Sequence, residues 1–194
     1  MPDLAIWLVV PVKPLGEGKS RLAPALPPAV RAEYSRRWLK RILALAANTG
    51  RFAGQAVISR DAAVLALAAT EDATPILEQA HDLNAALDQA RAQVCAAGAA
   101  AVLALPADLP SITAQDLHAL CDLALAGDGV VITPSYDGGT NALLLRPPCA
   151  IPYAFGPDSY ARHCALAAAA DVACRVYRSA TLAWDVDYPT DLPE

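Results

Sequence analysis

The chain has 194 residues, 55% of them hydrophobic but only 6% aromatic, and a formal net charge of −5. That length can bury a substantial core within one domain, 1–194, and so few aromatics leave Ala, Leu and Val to build it. The acidic balance excludes a broad nucleic-acid surface; mean hydropathy is +0.31, yet no apolar stretch reaches the ~18–20 residues a membrane-spanning helix needs.

Along the chain, apolar runs alternate with helical patterns, the signature of an α/β fold with a mostly parallel sheet. The start, Met1-Pro2-Asp3-Leu4, has neither a basic n-region nor a cleavage site, so a cytoplasmic location is expected. Leu4 to Val12 is a near-continuous apolar run, read as a fully buried first strand. A glycine-containing loop follows, Leu15-Gly16-Glu17-Gly18-Lys19-Ser20-Arg21. A long helix is predicted from about Pro28 to Asn48. Val30, Tyr34, Trp38, Ile42 and Leu45 recur at steps of four and three and mark its buried face. Arg31, Arg36, Arg37, Lys40 and Arg41 are then read as a solvated face.

Gln55 to Ser59 reads as the second strand, Ala62 to Ala69 as a helix and Thr74 to Leu77 as a short strand. Asp82 is placed as the cap of a helix running to Ala96. Ala100 to Leu105 is the next buried strand, and it ends at Pro106-Ala107-Asp108-Leu109-Pro110. Thr113 opens a helix to about Ala126, with Asp116 completing a capping box. Val130 to Thr133 and Ala142 to Leu145 are predicted strands on either side of Asp137-Gly138-Gly139. A helix from Ser159 to Ala169 and a strand from Val172 to Tyr177 lead to the tail Leu182-Ala183-Trp184-Asp185-Val186-Asp187. Five cysteines without C-x-x-C spacing argue against zinc or a disulfide framework and are expected to be small buried apolar residues.

Open α/β sheets bind ligands at the carboxyl ends of their strands, and three charged elements fall there. Lys13, Lys19 and Arg21 form a cationic loop after the first strand, suited to phosphate or, more plainly, to a basic surface. This is not a P-loop, because Leu15 stands where its first glycine belongs. Asp108 follows a buried strand directly. Asp185 and Asp187 lie one residue apart in an extended stretch, so both can point to one face. Hard carboxylate oxygens beside substrate phosphates suit Mg²⁺; helix caps and turn acids are the plainer alternative. Pro134-Ser135-Tyr136-Asp137-Gly138-Gly139-Thr140-Asn141 and Phe155-Gly156-Pro157-Asp158-Ser159 combine flexible glycines with uncharged hydrogen-bonding groups. Thr140, Asn141 and Ser159 can hold an oxyanion or carboxylate, although Asp-Gly is also a hairpin dipeptide. His163 lies one helical turn after Ser159 and either assists such a ligand or packs; His81 and His118 read as surface residues. No G-x-S-x-G elbow supports a hydrolytic nucleophile.

Together these segments resemble the phosphoenolpyruvate / 2-phospho-L-lactate guanylyltransferases of deazaflavin coenzyme F-420 biosynthesis. The resemblance runs from Val10-Pro11-Val12-Lys13-Pro14-Leu15 and Lys19-Ser20-Arg21-Leu22 through Leu83-Asn84-Ala85-Ala86-Leu87 to Asp185-Val186-Asp187. It implies a three-layer αβα, nucleotide-diphospho-sugar-transferase-like fold, GTP and a phosphorylated small acid as substrates, pyrophosphate as product, and Mg²⁺. It also implies that Thr140, Gly156 and Ser159 hold the acid, that Asp108, Asp185 and Asp187 hold metal, and that the base lies near Asn84. Asp82 stands where that family usually has glycine, either as a base acceptor or as a helix cap. The rival reading of the D-x-D is a glycosyltransferase. No sequence feature separates phosphoenolpyruvate from 2-phospho-L-lactate or fixes the oligomeric state.

Overall fold

A computed structural model describes residues 4–186. Its first strand, β1 (Ile6–Pro11), forms where the sequence is most continuously apolar, and it lies in the interior of a seven-stranded sheet. The others are β2 (Gly54–Ser59), β3 (Thr74–Leu77), β4 (Ala101–Ala104), β5 (Gly129–Pro134), β6 (Thr140–Arg146) and β7 (Cys174–Val176). Their order is β3-β2-β1-β4-β6-β5-β7. Only β6 runs against its neighbours, pairing antiparallel with both β4 and β5. Its direction has a consequence for the site. The beginning of β6 comes to the same sheet edge as the ends of β1 and β4.

The helices are α1 (Pro28–Thr49), α2 (Ala62–Thr70), α3 (Leu83–Ala96), α4 (Ala114–Leu125), α5 (Ser159–Ala169) and the short α6 (Ala180–Ala183). Strand side chains alternate between two cores, as the period-two geometry requires. Ile6, Leu8 and Val10 face a layer holding Leu39, Ile42 and Leu43 of α1, Val64 of α2, and Leu117 and Leu120 of α4. Val9, Val102 and Ala104 face Leu87, Ala90 and Val94 of α3 and Ala167 of α5. The architecture is therefore three-layered, with helices on both faces of a mostly parallel sheet.

Local chemistry explains the boundaries. Pro28 opens α1 at a position where its missing N–H is harmless, and Gly50, left-handed at φ 63°, closes it. Thr113 and Asp116 form the expected capping box of α4, and Asp82 accepts from the Ala85 N–H at 2.9 Å as the cap of α3.

Four expectations fail. Val30 is 39% exposed, because the buried face of α1 runs through Arg31, Trp38, Leu39 and Ile42 instead. Arg31 is only 8% exposed and is not part of a solvated face, since its guanidinium serves loop carbonyls described below. Of the cysteines only Cys121 is buried; Cys95, Cys149 and Cys174 are exposed and Cys164 is half-buried. Cys95 lies in the last turn of α3, Cys149 in the loop after β6 and Cys174 at the start of the edge strand β7. The strand expected over Val172 to Tyr177 is shorter, Cys174–Val176, and the segment after it, for which no element was expected, contains α6, capped by Ser179.

Candidate active site

Two adjoining clefts open at the sheet edge where β1, β2, β3 and β4 end and β6 begins. The larger, about 650 Å³, is walled by the loop after β1, including Lys13, Gly18, Lys19, Ser20 and Arg21. Its far side carries Arg60 and Glu78. The smaller, about 280 Å³, is walled by Asp137, Thr140, Asn141, Gly156, Ser159 and Asp185. Asp108 borders both, together with Pro11, Leu83 and Pro106. A cationic compartment and a hydrogen-bonding compartment that also carries Asp137 and Asp185 thus meet at Asp108.

The cationic loop is held from beneath. Lys19 adopts a left-handed conformation, φ 54° and ψ 39°. The Arg31 guanidinium donates to the carbonyls of Gly18 at 2.9 Å and Lys19 at 3.3 Å. A buried cation on these two carbonyls fixes the turn that aims the loop. The Lys19 ammonium pairs with Asp108 and lies 5.7 Å from the Trp38 ring centroid. The second oxygen of Asp108, Oδ1, is buried with no hydrogen-bond partner. An unpartnered buried carboxylate oxygen is uncommon and points to a ligand.

In the smaller compartment the hydrogen bonds have a defined direction. The Ala154 N–H donates to His163 Nε2 at 3.0 Å, so in the neutral ring the proton sits on Nδ1. That Nδ1–H then donates to Thr140 Oγ1 at 3.1 Å, and Ser159 Oγ donates to the same oxygen at 3.1 Å. With its acceptor capacity used, the Thr140 hydroxyl has its own proton to offer the cleft. Burial, and secondarily the Arg162 charge, push the His163 pKa down to about 4, which keeps the ring neutral near pH 7. His163 is 0% exposed, packs edge-on to Phe155 and connects to the cleft wall through its hydrogen bond to Thr140.

Gly156 sits at φ +125°, a conformation other residues resist, and lets the chain turn into α5. Asn84, expected near the base, has its side chain bonded to a neighbouring loop. Its amide is committed to Phe155, accepting from the N–H at 2.7 Å and donating to the carbonyl at 3.2 Å. Asn84 thereby fastens the loop that carries Gly156 and Ser159. Asn141 donates to the Leu182 carbonyl at 2.8 Å and to Asp185 Oδ1 at 3.4 Å, which brings Asp185 to the compartment. Asp187 lies outside the described residues, and among the described residues no cluster of three metal-ligating side chains is found.

The family model described as "Guanylyl transferase CofC like" matches residues 6–194. The chain belongs to this family. It is 41% identical over 190 residues to a phosphoenolpyruvate guanylyltransferase of Rubrobacter xylanophilus, covering 97% of this chain and 92% of that protein. A 2-phospho-L-lactate guanylyltransferase of Methanothermobacter thermautotrophicus is 36% identical, covering 96% and 82%. Among solved structures, a putative nucleotide-diphospho-sugar transferase from Desulfovibrio desulfuricans superposes with a TM-score of 0.77 at 19% identity, covering 94% of this chain and 82% of that one. CMP:2-keto-3-deoxy-manno-octonic acid synthetase in complex with CTP gives 0.66 at 14%, covering 96% and 94%. These structural likenesses establish the nucleotide-diphospho-sugar-transferase-like fold. No helix among the described residues is long and apolar enough to cross a membrane.

In this CofC-like protein several wall residues carry no assignment from sequence alone. Ser135 and Asp137 line the smaller cleft, and Asp137 accepts from Ser135 Oγ and from the Gly139 N–H at 3.1 Å. The Ser135 hydrogen bond, ahead of burial that opposes it, holds the Asp137 carboxyl below its ordinary range. Asp137-Gly138-Gly139 is the hairpin turn between β5 and β6, and Asp137 and Gly139 also line the smaller cleft. Arg60 and Glu78 follow β2 and β3 immediately, so the rule that ligands sit at strand ends was the signal that pointed to them. His81 is exposed and lines the larger cleft, whereas His118 is half-buried on α4.

A buried anchor sets the tail. Asp116 accepts from Tyr177 Oη at 3.0 Å, Ser179 Oγ at 2.6 Å and Thr181 Oγ1 at 2.7 Å, and from the Thr113 N–H and hydroxyl. It therefore ties the segment leading to Asp185 onto α4. Burial raises the Asp116 pKa, but the hydrogen bonds from Ser179, Thr113 and Thr181 together outweigh it, and the net shift is downward. Two acid windows of instability follow. His163, depressed in the fold, takes up a proton more readily when unfolded, so stability falls from pH 6.5 toward about 4. Asp116 contributes stability that is full above 3.8 and is lost as pH drops through its lower folded value. Thermal melts between pH 8 and 2.5 are expected to show both declines, with the lower one reduced in Asp116→Asn but not abolished, because Asp61 and Asp137 are depressed as well.

Proposed function

We propose that this protein transfers GMP from GTP to phosphoenolpyruvate and releases pyrophosphate, as a step in coenzyme F-420 biosynthesis. The observation that carries the reading is the junction of the two clefts at Asp108. A triphosphate in the larger cleft and a phosphorylated acid in the smaller would meet there. The relative from Rubrobacter xylanophilus, named for phosphoenolpyruvate, supports this acceptor. The relative named for 2-phospho-L-lactate makes that acid the second reading.

The acceptor's own phosphate oxygen attacks the α-phosphorus of GTP. A P–O bond forms there as the bond between the α-phosphorus and the bridging oxygen breaks, and that oxygen leaves with pyrophosphate. The nucleophile is already anionic near neutral pH, so no general base is required. Positioning and charge neutralisation are what remain to be supplied. Lys13, Lys19 and Arg21 hold the triphosphate and neutralise the departing pyrophosphate. Thr140, through the proton that His163 and Ser159 direct outward, donates to the acid, with Asn141, Ser159 and Gly156 shaping its seat. Asp108 and Asp185 border one compartment, and the unpartnered Oδ1 of Asp108 fits a hard cation; Asp187 is the third carboxylate of this proposed set. Mg²⁺ bound there would offset negative charge on the transferring phosphoryl group.

Purified protein offered GTP and Mg²⁺ with each acid separately is expected to release pyrophosphate, fastest with phosphoenolpyruvate. Release of a nucleoside diphosphate from a nucleotide sugar instead would convert the reading to a glycosyltransferase, and no turnover at all would reject it. Thr140→Ala and Ser159→Ala are each expected to raise the acceptor KM about 10-fold, the scale of one hydrogen bond to a charged group. The affinity for GTP should stay within about twofold. Equal losses for both substrates would overturn the division of the two clefts.

A further inference from the structure

The base-binding end of the larger cleft has no assigned reader, because Asn84 is committed to Phe155 and Asp82 to the cap of α3. Resting on the proposed use of GTP, we propose that Arg60 and Glu78 together select guanine. Both line the larger cleft, at the ends of the adjacent parallel strands β2 and β3. Glu78 continues the β3 ladder through its N–H to the Ser59 carbonyl at 2.9 Å, which fixes its backbone. Its side chain is 10% exposed, and its Oε1 lies 3.5 Å from Arg60 Nη1. A second carboxylate, Glu17, holds the other guanidinium nitrogen at 2.5 Å, so Arg60 is braced from the loop side.

The pair presents a donor beside an acceptor. Guanine presents O6, then N1–H, then the 2-amino group along one edge, an acceptor followed by two donors. An Arg60 N–H fits O6, and the Glu78 carboxylate fits N1–H and the 2-amino group. Adenine offers the opposite order, an amino donor followed by an N1 acceptor, and leaves both partners mismatched. Location agrees with this. β3 lies three strands from β4, about 14 Å at the usual strand spacing, the reach of a nucleotide from α-phosphate to base edge. Leu83, Ala86 and Ile58 supply an apolar wall between the two ends.

The test is equilibrium binding of GTP, ITP and ATP by calorimetry, independent of any acceptor, on the wild type and on Glu78→Gln. ITP differs from GTP only in lacking the 2-amino group. The wild type is expected to prefer GTP over ITP by about 10-fold or more and to bind ATP more weakly still. In Glu78→Gln the GTP affinity should fall about 10–100-fold while ITP falls much less, so the preference collapses. A merely structural role would weaken both nucleotides equally. Equal binding of GTP and ITP by the wild type overturns the proposal without using any variant, as does an unchanged ratio in Glu78→Gln. If the preference is lost in Glu78→Gln but no acid yields pyrophosphate, the guanine assignment stands and the proposed reaction fails.

Discussion

Asp108→Asn is expected to slow guanylyl transfer by on the order of 10²–10³-fold at saturating substrates and Mg²⁺, with much less change in GTP affinity. The substitution keeps the shape of the side chain and removes one charge at the junction of the clefts. Asp108 there balances the Lys19 ammonium with one oxygen and leaves the other buried and unpartnered. An amide in its place offers no second anionic oxygen to a cation and no counter-charge to Lys19. The cations of the loop after β1 remain available to the triphosphate, so binding survives while the chemical step suffers. Single-turnover rates of pyrophosphate release, read beside the GTP dissociation constant, separate the two effects. Wild-type turnover in this variant would remove the carboxylate from the mechanism.

The largest expected effect on folding lies away from the site, at Gly129. A Cβ added there would lie 2.3 Å from the carbonyl oxygen of Ala173, and the backbone sits at φ +136°. Neither atom can move cheaply, because the Val130 N–H donates to that same carbonyl at 2.7 Å where β7 joins the sheet. Gly129→Ala combines a forbidden backbone region with a backbone clash, and is expected to destabilise by about 3–5 kcal/mol. A urea titration against the wild type measures it. A loss under 1 kcal/mol would mean that β7 can shift without unpairing. Gly50→Ala, with open space around its Cβ, isolates the conformational part of the penalty.

That glycine illustrates how far the primary structure could be read. Gly138 and Gly139 stand out in the sequence because they are adjacent and flanked by hydrogen-bonding residues. Gly129 does not stand out, since what forbids a side chain there is the carbonyl of Ala173, forty-four positions later in the chain. Arg31 is a similar case. Helical spacing places it among exposed cations, yet the left-handed turn at Lys19 presents carbonyls that draw it inward. Asn84 was expected to meet the base, and instead mirrors the backbone of Phe155, seventy-one residues away.

The alternation of strands and helices, the capping of α3 and α4, the family, and the loops that wall the clefts were all legible in the amino-acid order. Those properties are encoded locally, in periodicity, in cap residues and in contiguous motifs. The pairing of β6 against β4, which carries Thr140 and Asn141 back beside Asp108, emerges from the folded sheet. The fold also decides which proton the Thr140 hydroxyl presents and how Asp116 ties down the chain before Asp185. Hydrogen-bond direction and burial depend on partners distant in sequence, and no spacing along the chain specifies them.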